Sequence, residues 1–224
     1  MKTFSEFLNE GVYDPSIFKA IFMGGSPGSG KSHVRSKVCG GLGFTVLNTD
    51  DLVEYLLKKY NLPADKTKAD DYEKEMWDIA RKKAIHKTFD RRDMLMQNRT
   101  GIILDGTAFF TDRIAKHKWR LEELGYDTLM VFVVTGRKTA HERNKQRERV
   151  LEPHVIDDYH DEQDDIIRAY KKLFGKNLII IRNEGDNTEY LDKVWKRIMK
   201  WAKRAPKRRE AKEWISQELE KKKR

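Results

Sequence analysis

The chain has 224 residues, enough to bury one sizeable core with length left for an appendage. Charged residues make up 37% and the hydrophobic set 38%, and no stretch approaches the roughly 20 consecutive apolar residues of a membrane helix, so neither a helical span nor a membrane partner is expected. The single cysteine, Cys39, allows no internal disulfide and fits a reducing, cytoplasmic setting.

The predicted elements begin after a short leader, residues 1–15. Its opening MKTFSEFLNE carries two acids and no long apolar run, which argues against a secretory signal. Phe4, Phe7 and Leu8 suit a short amphipathic helix packed on the domain. Apolar runs at 17–24, 44–48, 102–105, 128–134 and 178–182 predict five strands, rich in Ile and Val and bounded by turn residues. Between them, helical patterns cover 31–39, 50–60, 70–98, 111–124, 139–149 and 157–174, with a loop at 61–69 around Pro63. Such alternation implies crossover connections, hence an α/β fold: a parallel five-stranded sheet with helices on both faces, spanning 16–185.

Residues 186–224 read as a basic helical C-terminal extension. From 193 to 224 there are 14 Lys or Arg against four Glu, a surplus equal to the whole net charge of +10. Trp195, Ile198, Met199 and Ala202 form one apolar stripe, and Trp214, Ile215 and Leu219 continue it beyond a break at Ala205-Pro206. Two readings stand side by side: solvated faces whose lysine stems shield the stripe, or a surface for the phosphate backbone of DNA or RNA.

The motif that carries chemistry is Gly25-Ser26-Pro27-Gly28-Ser29-Gly30-Lys31-Ser32, which matches G-x-x-x-x-G-K-[ST] directly after one predicted strand and before one predicted helix. Glycines bring main-chain amides close to a ligand, and the helix start adds further N–H donors, a cavity suited to phosphate oxygens. A nucleoside triphosphate such as ATP is the expected ligand. Lys31 would neutralise its β and γ phosphates and Ser32 would ligate Mg²⁺, with His33 continuing the binding set into the helix.

Ligands of open parallel sheets collect at the carboxyl ends of strands, which directs attention to the other strand ends. Asp50, at the end of the second, either accepts the proton of an attacking hydroxyl or caps the helix starting at Asp51. Asp105, at the end of the third, either holds a magnesium-bound water or belongs to a plain Asp-Gly turn; Thr107 could touch the acceptor or orient Asp50. A phosphatase of the D-x-D-G-T type is excluded, because Ile103 stands where the nucleophilic Asp would be. After the fourth strand, Arg143 and Arg147 lie four apart, which in a helix puts both on one face, in reach of a transferring phosphoryl group. The acidic run Asp157, Asp158, His160, Asp161, Glu162, Asp164 and Asp165 lacks tight ligand spacing and reads as a solvated helix face rather than a metal site.

In order and spacing, GGSPGSGKS, GFTVLNTDDL, GIILDGTAFFTDRIAKHKWRLEELGYDTLMVFVV, AHERNKQRER and EPHVIDDYHDEQDDIIRAYKKL resemble the 5′-kinase domain of phage polynucleotide kinases, within the P-loop NTPase kinase-type fold. The zeta-toxin kinases are wider relatives. The resemblance covers about 17–174 and implies a phosphotransferase using ATP and Mg²⁺, with Asp50 as general base, Arg147 as a lid arginine on the donor phosphates and Arg143 as a secondary helper. The family's polynucleotide enzymes carry an arginine three residues after the base, where this chain has Val53. The implied acceptor is a hydroxyl on a nucleic acid end, a modified base or a nucleotide, with a small sugar compound as the alternative. A second class, an NTP-dependent switch or packaged DNA-binding protein, has no need for the pairing of Asp50 with Arg147. The leader is also similar to short N-terminal segments on proteins of large tailed phages, which would imply a host cytoplasm or capsid packaging.

Overall fold

A computed structural model of the chain describes residues 12, 14, 16–147 and 150–222. The leader expected over 1–15 falls outside these apart from Val12, Asp14 and the start of the domain at Ser16. In chain order the elements are β1 (Lys19–Gly25), α1 (Lys31–Val38), β2 (Thr45–Asn48), α2 (Thr49–Lys59), α3 (Asp71–Gln97), β3 (Ile102–Asp105), α4 (Thr111–Glu123), β4 (Asp127–Val134), α5 (Arg137–Lys145), α6 (Pro153–Phe174), β5 (Leu178–Arg182), α7 (Thr188–Ala202) and α8 (Arg209–Lys221). Short 3₁₀ turns lie at Lys66–Lys68 and Gly175–Asn177.

The five strands form one parallel sheet in the order β2-β3-β1-β4-β5. Side chains of a strand alternate between faces, and here the alternation sorts the core into two layers. Ala20, Phe22, Met130 and Phe132 point to one side, where they meet Leu121 of α4, Tyr170 and Phe174 of α6, and Ala211 of α8. Ile21, Met23, Leu129, Val131 and Val133 point to the other, against Val34 and Val38 of α1 and Leu191, Val194 and Ile198 of α7. Each fully buried aliphatic or aromatic side chain contributes roughly 1.5–3 kcal/mol, so both layers are needed. A third cluster joins Val53, Leu56 and Leu57 of α2 to Trp77, Ala80 and Ala84 of α3.

Residues 186–224 break near Pro206 as the pattern predicts, and both of their helices press onto the sheet layers. Trp214 meets Phe18 edge-on, with ring centres 5.4 Å apart. Gly125 has φ +96°, and a Cβ there would sit 2.7 Å from the Ala211 backbone nitrogen, so only glycine permits this close approach of α8. Arg208 fastens the connection, donating to the Tyr126 carbonyl at 3.1 Å and pairing with Glu122 at 2.9 Å.

Two helices differ from their expected bounds. The α6 helix starts at Pro153 rather than Asp157, since proline at the first helical position loses no hydrogen bond and arrives with helical φ. The α5 helix runs from Arg137 only to Lys145, not to 149. The side chain of Asn144, itself buried, clamps the returning chain by donating to the Leu151 carbonyl at 2.8 Å and accepting from the Leu151 N–H at 3.1 Å.

Candidate active site

At the carboxyl end of β1 the chain enters the glycine loop. Gly28 and Gly30 take φ values of +79° and +81°, and a Cβ on Gly28 would lie 2.4 Å from the Ala140 carbonyl oxygen. The loop is therefore pinned between α5 and the strand it leaves. Lys31 opens α1, and its ammonium donates to the carbonyls of Gly25 at 2.8 Å and Ser26 at 3.0 Å. Burial lowers its pKa to about 8; Asp105 and Asp50 act against that shift, while Arg147 adds to it. The hydroxyls of Ser26 and Ser29 are buried with no hydrogen-bond partner among the described residues, which leaves donors in the loop for an anionic ligand. Ser32 is exposed at the cavity mouth, whereas His33 is exposed on α1 and is not among the cavity-lining residues.

A cavity of about 400 Å³ faces the loop. Pro27, Gly28, Gly30, Lys31 and Ser32 form one wall; Asp50, Asp105, Thr107, Arg143 and Arg147 complete it. Segments spread over 120 residues of sequence thus converge on one space, because each follows the carboxyl end of a strand. Asp50 is not the N-cap of its helix: Asn48 is, accepting the Asp50 N–H at 2.9 Å, and Asp50 lies in the first turn of α2.

The side chain of Asp105 is buried and paired with Arg35 of α1, and Asn48 Nδ2 donates to it at 3.4 Å. Burial raises its pKa, opposed by Arg35 and Lys31. Both partners address Oδ2. Thr107 is exposed in the cavity wall, and its carbonyl is gripped by the Gly25 N–H at 3.0 Å and by the Tyr159 hydroxyl at 2.6 Å.

The two arginines come together by a route that helical spacing does not describe. Arg143 is on α5, but Arg147 lies beyond the helix end, its N–H bonded to the Asn144 carbonyl at 3.1 Å. The shared helix face is corrected to a helix and the turn that follows it. Arg143 donates to the carbonyls of Gly28 at 3.4 Å, Ser29 at 3.3 Å and Asn183 at 3.2 Å, so it braces the glycine loop.

Other residues escaped the sequence pattern. Asn183, just past β5 and buried, donates to the Ser29 carbonyl at 2.8 Å. Asp51 and Glu54 line the cavity beside Asp50, while Val53 turns into the α2–α3 cluster and away from it. A second cleft, about 140 Å³, adjoins the first through Asp105 and Gly106; Thr49, Thr88, Phe89, Arg92 and His117 are on its wall. Its residues come from the first strand, from the stretch that runs from the second strand to just past the third, and from α4, so no local pattern marks it. The acidic run on α6 faces α5: Asp157 lies 2.9 Å from His141 Nε2 and 3.5 Å from Arg137, which also pairs with Asp161. Among the described residues no cluster of three or more His, Cys, Asp or Glu is arranged to hold a metal.

The family model described as AAA domain matches residues 21–176. Among solved structures, a chain from the PezAT chromosomal toxin–antitoxin system of Streptococcus pneumoniae is 14% identical with a TM-score of 0.54, covering 91% of this chain and 84% of that one. A protein from Chloroflexus aurantiacus described as a kinase is 14% identical with a TM-score of 0.53, covering 80% and 97%. A shikimate kinase from Acinetobacter baumannii is 13% identical with a TM-score of 0.45, covering 84% and 97%. The likeness is one of fold, the kinase-type P-loop sheet. No curated protein matches the sequence. No helix among the described residues is long and apolar enough to cross a membrane.

Proposed function

The chain belongs to the AAA domain family, and on that premise we propose that it transfers the γ-phosphoryl group of ATP to a hydroxyl acceptor. The observation that carries this reading is the single cavity shared by the glycine loop, Asp50 and Arg147. Loop amides and Lys31 bind the phosphates of ATP, with Arg143 and Asn183 holding the loop in shape from behind. Asp50 takes the proton of the acceptor hydroxyl, whose oxygen bonds to the γ-phosphorus as the bond to the β,γ-bridging oxygen breaks and ADP departs. Arg147 lies on the charge that spreads over the transferring group. A hydroxyl and carboxylates are the hard oxygen donors that magnesium accepts, and it commonly takes only one or two from protein. Ser32 and Asp105 would hold the ion, which would supply neutralisation of phosphate charge.

For the acceptor, a nucleic acid end, modified base or nucleotide is favoured over a small sugar. The adjoining cleft supports this: Phe22, Met23, Leu47, Leu104 and Ile114 make its lining largely apolar, the exposed ring of Phe89 suits stacking on a flat group, and Arg92 and His117 add polar contacts. Val53 stands where the polynucleotide enzymes carry an arginine, and here that position belongs to the core, so any contact to the acceptor comes from other residues.

The test is Asp50→Ala with a labelled-ATP transfer screen across 5′-hydroxyl oligonucleotides, modified duplex DNA, nucleosides and amino sugars. Transfer is expected to fall by about 10²–10⁴-fold with ATP affinity preserved. Transfer at the wild-type rate would overturn the role of Asp50, and absence of ATP binding in the wild type would overturn the reading as a whole.

A further inference from the structure

At the amino ends of β1, β4 and β5, on the sheet edge opposite the cavity just described, lies a groove of about 760 Å³. Lys176 of the 3₁₀ turn, Lys196, Arg197 and Lys200 of α7, and Arg204 and Lys207 after it line this groove. All six are exposed, and none forms an ion pair among the described residues. The one acid in the wall, Asp127, is already matched at 2.6 Å by Lys19, which is itself buried and lies 5.4 Å from the ring centre of Trp201. Desolvation lowers the pKa of Lys19, and Lys207 and Arg204 push it the same way, a sign that the groove's positive field converges there.

We propose that this groove binds the phosphodiester backbone of single-stranded nucleic acid, as an anchoring site separate from the catalytic cavity. Lys196 and Lys200 lie one turn apart on α7, about 6 Å at 1.5 Å per residue, and Arg204 in the turn beyond the helix end lengthens the row. That is longer than one phosphate group and suits consecutive phosphates. The recess also argues for a strand laid into it rather than a flat anionic bilayer, and half-buried Trp201 in its wall offers aromatic surface to a base. The excess charge of the terminal helix is not what builds the site. In α8 the cations are interleaved with Glu210, Glu213, Glu218 and Glu220, two of which pair with Arg209 and Lys221. Lys19 and Lys176, by contrast, come from outside the C-terminal segment altogether. The site does not depend on the phosphotransfer reading, since the strands separate the two ends by about 20 Å.

The experiment is fluorescence anisotropy of a 20-nucleotide single strand, labelled at its 5′ end so that no hydroxyl is available for transfer there, titrated with the full chain without ATP across a range of salt. Six engaged phosphates, one for each exposed cation of the groove, predict a slope of log affinity against log salt of about −4. Lys196→Gln, Lys200→Gln and Arg204→Gln together should weaken binding by at least about tenfold and make the slope shallower by about 2. Lys212→Gln, Lys221→Gln and Lys222→Gln, an equal charge loss on α8 and its C-cap, should leave affinity within about threefold and the slope unchanged. Lys176→Gln, off α7, guards against misfolding of that helix and should flatten the slope by about 0.7. Lys31→Ala should bind the strand like the wild type, which keeps this result distinct from any failure of the ATP site. Equal losses in the α7 and α8 variants would overturn the proposal, as would wild-type binding by the groove variant. Binding to phosphatidylserine vesicles without binding to the strand would overturn it too.

Discussion

Lys31, at the carboxyl end of the sheet, is buried and bonded to two main-chain carbonyls, while Lys196, Lys200 and Arg204, at the amino end, stand exposed in a row. Both ends carry cations, the carboxyl end among the carboxylates of Asp50, Asp51, Glu54 and Asp105, and they hold them in different ways. At the carboxyl end three cations are fixed by specific partners: Lys31 by two carbonyls, Arg35 by Asp105, Arg143 by three carbonyls. Fixed charge suits chemistry, because groups already in place need no reorganisation when the transition state forms. At the amino end the cations are long, solvated and unpaired, which suits a flexible polyanion whose binding is driven by counterion release.

Substitutions can separate the two ends, and the largest effect belongs to the carboxyl end. Lys31→Ala is expected to lower phosphoryl transfer by about 10³-fold with folding intact, checked by steady-state kinetics and circular dichroism. Next comes Arg35→Met, which leaves the carboxylate of Asp105, 3% exposed, without its cation. A loss of about 3 kcal/mol in urea unfolding is expected. A loss below about 0.5 kcal/mol would mean that this end is no more rigidly paired than the other.

Smaller effects probe the layer between the ends. Ile198, fully buried, anchors the helix that displays the basic row. Ile198→Val should cost about 1 kcal/mol in unfolding, the signature of a core position and not of a solvated appendage. The smallest expected signal is chemical. Burial pushes the Cys39 thiol up to about 12, so the native protein should not react with iodoacetamide at pH 8, and should react once unfolded in urea. The sign on stability follows: above about pH 9 the unfolded chain releases this proton and the folded chain retains it, so the thiol makes stability fall as pH rises through that window.

Much of this architecture is readable from local pattern alone. Five apolar runs locate the strands to within two residues, the Pro206 break divides α7 from α8, and the glycine loop announces its place after β1. These features depend on backbone preference and on alternation within a few residues. Asp50, Thr107 and Arg147 are also legible, since each follows the carboxyl end of a predicted strand, but Arg147 arrives by the turn after α5 and not by a helix face shared with Arg143. Its helix stops at Lys145, because Asn144 turns the chain toward Leu151.

The sequence by itself determined the strand and helix pattern and the loop that fits phosphate, since those rest on interactions between near neighbours. Only the tertiary structure decided that Asn183 braces Ser29 from 154 residues away, that Arg35 neutralises Asp105, and that Lys19 and Lys176 join α7 around one groove. Contacts of that kind depend on which faces of the sheet and helices meet, and no short window of residues encodes the distance between its own side chains and those of a remote segment.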